Sequence, residues 1–255
     1  MQFGRLQLKR CKYGWMLFMG PYIGKCFELY GEYSEGEVDV LRLFVRPGDT
    51  ALDIGANIGD LTLPMSSFAG EKGRVYAFES NGDVFNVLCA NLALNQITNT
   101  KPLNAFIGDQ VDASTSGVPW KQDFVSKNFE PPIVPIDSLN LASCAFIKID
   151  VDGKELEVLK SAVQTIARNR PILYLENDVR EKSRALLEYL FQNDYVLYWH
   201  TPPIFQPDNF FGNPTNHWPQ VIVSIMVLCI PKEKDANYAM TLKKVVDPDE
   251  WVDLK

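Results

Sequence analysis

The chain has 255 residues, of which 46% are hydrophobic and 22% are charged, and it contains 16 glycines and 16 prolines. This composition is that of a globular protein with a sizeable core, and it excludes a disordered, collagen-like or coiled-coil chain. The 25 basic and 32 acidic residues give a net charge of -7. Because no basic stripe is visible either, we expect no nucleic-acid partner.

Cysteine usage and hydropathy indicate the compartment. The five cysteines are scattered and none forms a C-x-x-C pair, which argues against a disulfide framework and a zinc site. No apolar run near the start is long enough for a signal peptide or a membrane span. We therefore expect a cytoplasmic protein without a membrane span.

The first 48 residues predict a small cap rather than a separate domain. Residues 13–18 and 26–30 are rich in aromatic and β-forming residues, whereas residues 34–45 are amphipathic with helical spacing. We predict a single domain over residues 1–255, in which residues 1–48 cap a core of residues 49–255.

From residue 50 onward the chain alternates between two patterns. Short apolar runs typical of buried strands occur at residues 50–54, 75–78, 146–149, 172–175 and 195–199. Helical periodicity occurs at residues 61–69, 84–95, 154–168 and 180–192. Since right-handed crossovers return each helix over the sheet, the alternation predicts a Rossmann-like α/β fold with a mostly parallel sheet. Ligands bind such sheets at the carboxyl ends of the strands.

The tail follows a different pattern. Residues 195–199 and 221–230 are strand-like, and the segment between them is rich in Pro and Asn and has no helical spacing. This predicts a C-terminal antiparallel pair joined by a long loop.

The segment from Asp53 to Gly59 reads Asp-x-Gly-x-Asn-x-Gly and directly follows the first buried strand. Its glycines allow a ligand to approach the backbone, and Glu79, at the end of the next strand, can accept hydrogen bonds from two ribose hydroxyls. An acid two residues before the first glycine would repel a pyrophosphate but can bind an ammonium group, which favours S-adenosylmethionine over NAD. The alternative is that the glycines only shape a turn and Glu79 is a solvated strand end. The predicted cofactor residues are Asp53, Gly55, Asn57, Ile58, Gly59, Glu79, Ser80 and Asp109.

Asp109 is included because the third strand of the sheet should end near residues 105–109. There its carboxylate could accept from the adenine amino group, or it could be a turn residue after Gly108.

The fourth strand carries charges on one side. Period-two alternation places Lys148, Asp150 and Asp152 together, opposite an apolar face. Asp150 is either the structural ion-pair partner of a buried Lys148, or, like Asp152, a general base or metal ligand at the reacting centre.

The fifth strand brings Glu176 and Asn177 beside these carboxylates. Together with Asp150 they could hold a divalent cation, but clustered acids at strand ends also bind sugar hydroxyls or an amino group, so no metal is favoured. The predicted substrate residues are Asp152, Glu176, Asn177 and Asn209.

His200 directly follows the strand of residues 195–199 and begins a loop rich in Pro, Asn and Phe that contains Asn209. The histidine is either a structural residue or an imidazole base beneath an acceptor lid. The candidate catalytic residues are His200 and Asp150.

Taken together, these residues resemble the FkbM family of S-adenosylmethionine-dependent methyltransferases. The resemblance is carried by Tyr30-Gly31-Glu32-Tyr33 with Glu37, Leu52 to Gly59, Phe78-Glu79, and Ile147 to Gly153 with Glu155. Asp152 stands where the family usually has Glu. The tail from Tyr198 to Pro203, with residues 209–212, resembles a bacterial subset of the family.

The resemblance implies a class I methyltransferase fold with a seven-stranded sheet, and methylation of an oxygen on a small molecule or saccharide. Two other functions are alternatives: a non-catalytic nucleoside-binding scaffold, and an NAD-dependent oxidoreductase, which Asp53 and the glycine spacing disfavour. The sequence leaves the acceptor's identity and the oligomeric state open.

Overall fold

The computed structural model describes residues 6–109, 131–218, 225–235 and 242–252. It begins with an antiparallel hairpin of β1 (Gln7–Cys11) and β2 (Gly14–Phe18), which is followed by α1 (Ile23–Tyr30) and α2 (Glu35–Phe44). No helix in the described ranges combines the length and apolarity that crossing a bilayer requires.

The sequence predicted a strand-like conformation for residues 26–30, but these residues are helical. Cys26, Phe27 and Tyr30 are buried on one side of α1, and Gly31 ends the helix with a φ of 69°. The spacing of those three residues is that of a helix face, which the aromatic composition had obscured.

The core alternates strands and helices as predicted. Its first half contains β3 (Thr50–Ile54), α3 (Thr62–Ala69), β4 (Arg74–Phe78), α4 (Gly82–Leu94), β5 (Thr100–Leu103), β6 (Phe106–Ile107) and β7 (Ile133–Val134). Its second half contains β8 (Phe146–Ile149), α5 (Glu155–Lys160), α6 (Val163–Asn169), β9 (Ile172–Glu176), α7 (Arg180–Gln192), β10 (Tyr195–His200), β11 (Met226–Pro231) and β12 (Lys243–Lys244).

The central sheet has eight strands in the order β12-β10-β11-β9-β8-β3-β4-β5. The strands from β9 to β5 are parallel, whereas β11 is antiparallel to both β9 and β10, and β12 is antiparallel to β10. The sheet is therefore mixed. The prediction of seven strands was wrong, because the described residues form eight. The predicted C-terminal antiparallel pair is extended by a third strand, β12. β12 has two residues, too few for an apolar pattern in the sequence.

The strand predicted over residues 221–230 begins at Met226 and extends to Pro231. Residues 221–224 lie outside the described residues. The third strand of the parallel sheet is β5, which ends at Leu103, and not the segment of residues 105–109. Phe106–Ile107 leaves the sheet and pairs with β7.

The helix predicted over residues 154–168 is two helices, α5 and α6. The Asp137 carboxylate accepts hydrogen bonds from the backbone N–H groups of Gln164 and Thr165, at 2.9 and 2.8 Å. Asp137 thus satisfies donors at the start of a new helix, as an N-cap does. Because the capping residue is distant in sequence, periodicity could not reveal the break.

The two faces of the sheet pack against different helices. On one face Leu52 and Ile54 join the cluster that includes residues of α5, α6 and α7. On the other face Ala51 and Phe146 pack with residues of α2 and α3. Asp53 and Lys148 belong to this second face, since side chains alternate along each strand. The face covered by α2 therefore carries the charged residues.

Candidate functional site

A cavity of about 620 Å³ opens at the carboxyl ends of β3, β4, β8 and β9. Gly55, Glu79, Asp150 and Glu176, each at or just after the end of one of these strands, line it. Its size falls in the range of small-molecule sites, and its location is that expected for an open α/β sheet.

The turn after β3 depends on Gly55, whose φ is 79°. A Cβ atom there would lie 1.9 Å from the carbonyl oxygen of Asp150. The N–H groups of Gly55 and Ala56 donate to the carbonyl of Phe78 at 2.9 and 2.8 Å. The close approach of three strand ends therefore requires glycine at this position.

Glu79 is held at the end of β4 by backbone donors. Its two carboxylate oxygens accept from the N–H of Asn57 at 3.0 Å and of Asn81 at 2.7 Å. Burial raises the pKa of this carboxyl, and the two backbone hydrogen bonds oppose the rise. Ser80, the next residue, also lines the cavity.

Lys148 is the centre of a buried ionic group. Its Nζ lies 2.8 Å from the carbonyl oxygen of Gly55, 3.4 Å from Asp53 Oδ1 and 3.5 Å from Asp150 Oδ2. Burial alone would lower the pKa of Lys148, but Asp150 and Asp53 hold it above its usual value. The predicted ion pair between Lys148 and Asp150 is confirmed.

Glu155 stabilises the loop that follows β8. The Glu155 carboxylate accepts from the N–H groups of Val151 and Gly153, at 3.2 and 3.0 Å. Gly153 and Asp152 both have positive φ values, 83° and 51°. Glu155 therefore fixes the turn that presents Asp150 and Asp152 to the cavity.

Three further cavity carboxyls hold their protons more tightly than usual. Burial raises the pKa of Glu37 and of Asp60 to about 7. Burial, the charge of Asp150 and a hydrogen bond with it raise the pKa of Glu176 to about 10. At neutral pH, Glu176 is consequently protonated beside Asp150.

Seven of the residues predicted for the site line the cavity: Gly55, Asn57, Glu79, Ser80, Asp150, Asp152 and Glu176. Asp53 lies behind the cavity wall instead. It is fully buried, and its Oδ2 accepts from the Thr62 hydroxyl at 2.6 Å while Oδ1 faces Lys148. Asp60, which the sequence reasoning missed, lines the cavity in its place.

Five other predicted residues also lie away from the lining. Ile58 packs in an apolar cluster, and a Cβ on Gly59 would meet Leu88 at 2.9 Å, so both serve packing. Asp109 is exposed. The remaining two are committed to local contacts, Asn177 with the Ser183 hydroxyl and Asn209 with the carbonyls of Gln206 and Asn213.

His200 is not brought to the cavity. Its Nδ1 lies 2.7 Å from the Tyr174 hydroxyl, and a Cβ built on Gly36 would be 3.7 Å from its Nε2. Burial lowers the pKa of His200 to about 4, so the ring is neutral. Pro202, in the loop that follows, packs against α2, and His200 is not among the residues that line the cavity, so the structural alternative for His200 fits this geometry better than a base beneath a lid.

Residues of the N-terminal segment also belong to the site, although the sequence did not predict them. Tyr22, Tyr33 and Glu37 line the cavity, as does Phe106 from the opposite side. Glu37 and Tyr33 belong to the motif that carried the family resemblance, which was the available signal. Their position depends on how α2 packs on the sheet, and that packing has no local signature.

No group of three or more histidine, cysteine or acidic side chains in the described ranges is arranged to hold a metal ion. Of the three candidate ligands, Asp150 and Glu176 adjoin each other, whereas Asn177 donates to Ser183 at 2.9 Å.

Comparison with known proteins identifies relatives. Residues 53–197 match the methyltransferase FkbM domain. A curated relative, the catalytic subunit of a tRNA (adenine(58)-N(1))-methyltransferase from Yarrowia lipolytica, is 35% identical over 63 residues. The match spans 25% of this chain and 16% of that protein.

Two solved structures align with most of the chain. The methyltransferase FkbM from Methylobacillus flagellatus aligns with a TM-score of 0.48 and 18% identity over 76% of this chain and 50% of its own. A precorrin-6y C5,15-methyltransferase from Geobacter metallireducens aligns with a TM-score of 0.50 and 15% identity over 75% and 85% of the two chains. The chain thus spans at most half the length of the curated relative and of the first structure.

Proposed function

The chain belongs to the FkbM family of S-adenosylmethionine-dependent methyltransferases, and we propose that it methylates a hydroxyl oxygen of a small molecule or sugar. The observation that carries this proposal is a cavity that joins the glycine turn and Glu79 to the Asp150–Glu176 pair. A cofactor and an acceptor could therefore meet within one site.

The cofactor half of the cavity fits S-adenosylmethionine chemically. Glu79 keeps lone pairs for ribose hydroxyls beyond the two backbone N–H groups that fix it. Phe106, Ile107 and Val84 provide apolar surface for a base. The buried Oδ1 of Asp60 has no hydrogen-bond partner among the described residues, and it suits a cationic group. When bound, the cofactor supplies a methyl group on a positively charged sulfur.

Asp150 is the proposed base. Its side chain is 37% exposed and lines the cavity, and the Lys148 ammonium lies 3.5 Å from its Oδ2. Asp150 would take the hydroxyl proton of the acceptor oxygen that receives the methyl group, and the cofactor would leave as the neutral thioether that keeps the electrons of the broken sulfur–methyl bond. Glu176, protonated next to it, can donate a hydrogen bond to the Asp150 carboxylate.

The charge of the cavity favours a hydroxyl compound over a nucleic acid. Among its described lining residues are six acids and two lysines, of which Lys148 is already paired. Glu176 is protonated at neutral pH, but the other five acids still outnumber the two lysines, so phosphate groups would be repelled there, and the net charge of -7 adds no attraction. Carboxylates instead accept hydrogen bonds from hydroxyl groups.

The experiment compares the methyl-transfer rates of Asp150→Asn and His200→Gln, since His200 is the second candidate base. Asn cannot accept the proton, so we expect Asp150→Asn to lower single-turnover methyl transfer by roughly 100-fold or more. His200→Gln should retain most of the rate, because His200 lies outside the cavity. The measurement uses radiolabelled S-adenosylmethionine and a panel of sugar and small hydroxylated acceptors.

Thermal unfolding with S-adenosylhomocysteine is the control. Both variants should keep the shift of the wild type, where ligand at 100 times its dissociation constant adds about 2.7 kcal/mol to stability. A rate loss confined to His200→Gln would assign the base to the histidine. Methyl transfer to carbon, nitrogen or RNA in place of oxygen would overturn the proposed acceptor.

A further inference from the structure

Glu37 of α2 has an arrangement that the proposed chemistry does not use. It is only 2% exposed, yet it lines the cavity. The Ser34 hydroxyl donates to its Oε1 at 2.6 Å. Its Oε2 is buried and has no hydrogen-bond partner among the described residues. One oxygen is therefore anchored, and the other is left for a ligand.

A buried carboxylate oxygen without a partner is costly, so it points to a missing interaction. Lys148 attracts Glu37 electrostatically, but its ammonium group lies against Gly55, Asp53 and Asp150. Two acids, Asp150 and Asp60, also act on Glu37, and the Oδ1 atom of Asp60 itself has no hydrogen-bond partner among the described residues. The cation that acts on Glu37 is thus already held by other acids, and Glu37 shares the cavity with further acids.

The surroundings of Glu37 suit a positive charge. Burial raises the pKa of Tyr33, and the charges of Asp60 and then of Glu37 raise it further, so the Tyr33 ring lies near both acids. Tyr22 packs edge-on against Tyr33, with ring centroids 6.4 Å apart, and both rings line the cavity. Aromatic rings and carboxylates together are the usual partners of an ammonium group. A neutral or anionic acceptor would leave Glu37 and its neighbours uncompensated.

We propose that Glu37 binds a protonated amino group of the methyl acceptor, so that the acceptor is a hydroxylated amine such as an amino sugar. The inference rests on the proposed function, since it names the acceptor of the same site. Asp150 takes the hydroxyl proton, while Glu37, on the helix that covers this face of the sheet, selects the molecule that carries it.

The competing explanation is a structural role for Glu37 at the N-terminus of α2, because Ser34 is the N-cap residue of that helix. Glu37→Gln separates the two roles. The amide oxygen can still accept from the Ser34 hydroxyl, whereas the negative charge is lost. Glu35→Gln is the matched control. Glu35 is on the same helix and 7% exposed, but its Oε2 contacts Tyr13 and Lys12 outside the cavity.

The experiment measures binding of paired ligands to the complex with S-adenosylhomocysteine, by calorimetry and thermal unfolding. Each pair is an amino sugar and its N-acetyl derivative, for example glucosamine with N-acetylglucosamine and galactosamine with N-acetylgalactosamine. We expect the free amines to bind at least 10-fold more tightly than the acetylated compounds. Glu37→Gln should abolish this preference, and Glu35→Gln should preserve it.

Equal binding of the two members of every pair, or a preference that survives Glu37→Gln, would overturn the inference. S-adenosylhomocysteine affinity should change by less than about 2-fold in Glu37→Gln. A parallel loss of that affinity would assign Glu37 to the cofactor's amino group and overturn it too. Glu37-dependent binding of amines that are then methylated on nitrogen or carbon would overturn the proposed O-methylation but leave the amine site.

Discussion

Lys148 shows how one residue connects the sheet to the cavity. It lies between Asp53 on β3 and Tyr174 on β9 in the register of the parallel strands, and it is only 3% exposed. A buried ammonium is tolerated only when it is paired. Lys148 forms ion pairs with both Asp53 and Asp150, and it thereby fixes the positions of these acids at the strand ends. The period-two pattern predicted the side on which Lys148 and Asp150 meet.

At Gly55, replacement by alanine should be far more costly than at an unconstrained glycine. Gly55→Ala places a methyl group against the Asp150 carbonyl at positive φ, and we expect a loss of about 3 kcal/mol in the free energy of unfolding. Gly48 also has positive φ, 96°, but nothing within 4 Å of its Cβ position. Gly48→Ala should cost only about 1–2 kcal/mol. Urea unfolding measures both, and equal losses would contradict the close approach at Gly55.

Asn91 links three elements that no sequence pattern connects. From α4, its side chain accepts from the N–H of Leu17 at 2.6 Å and donates to the carbonyl of Leu17 at 3.0 Å. It also donates to the carbonyl of Ile58 at 2.8 Å. The N-terminal hairpin and the glycine turn are thus attached to the same helix, with Asn91 fully buried.

Asn91→Ala should lower the free energy of unfolding by about 3 kcal/mol, because it leaves buried backbone groups without partners. Asn95→Ala is the matched control. Asn95 makes the corresponding pair of hydrogen bonds to Trp15 one turn later, in a more exposed position. We expect it to cost about 1 kcal/mol. Chemical denaturation would show this difference, and a smaller effect at Asn91 than at Asn95 would refute the role given to burial.

Predictability also differs among the elements. The pattern located β3, β8 and α7 at their observed bounds, since each buries residues at its own regular period. It failed for α1, where aromatic residues outweighed helical spacing, and for the break between α5 and α6. That break is made by Asp137, which precedes α6 by 26 residues along the chain. Contacts of that range leave no periodic trace.

At the scale of the whole molecule, the cavity creates a pH dependence. Glu37, Asp60 and Glu176 have folded-state pKa values of about 7, 7 and 10, all above their ordinary values. The folded protein therefore binds protons that the unfolded chain has released. Their contribution to stability is complete below about pH 4 and is lost as pH rises through 7 and beyond. His200 acts oppositely, because its pKa of about 4 lies below the ordinary 6.5, so its contribution is lost only as pH falls from 6.5 toward 4.

Between pH 6.5 and 7.5 the carboxyl effect dominates, because the buried cysteines, whose pKa values are also raised, contribute only above that range; the ligand-free protein should therefore lose stability as pH rises. We expect a slope on the order of 1 kcal/mol per pH unit, since Glu176 alone keeps nearly one proton in the folded state. Glu176→Gln should flatten this slope, whereas Glu71→Gln, at an exposed site, should not change it. Denaturation across this range provides the measurement, and a rise in stability would contradict the pKa directions.

The sequence by itself determined the α/β class, the parallel strands and the acids at the strand ends, namely Glu79, Asp150 and Glu176. These follow from periods set by local backbone geometry and from turns that admit few residue types. Only the tertiary structure decided that Asp53 turns inward to Lys148, that His200 pairs with Tyr174, and that Asp60 and Glu37 enter the cavity. The physical reason is that the exposure of an acid depends on which distant segment covers it.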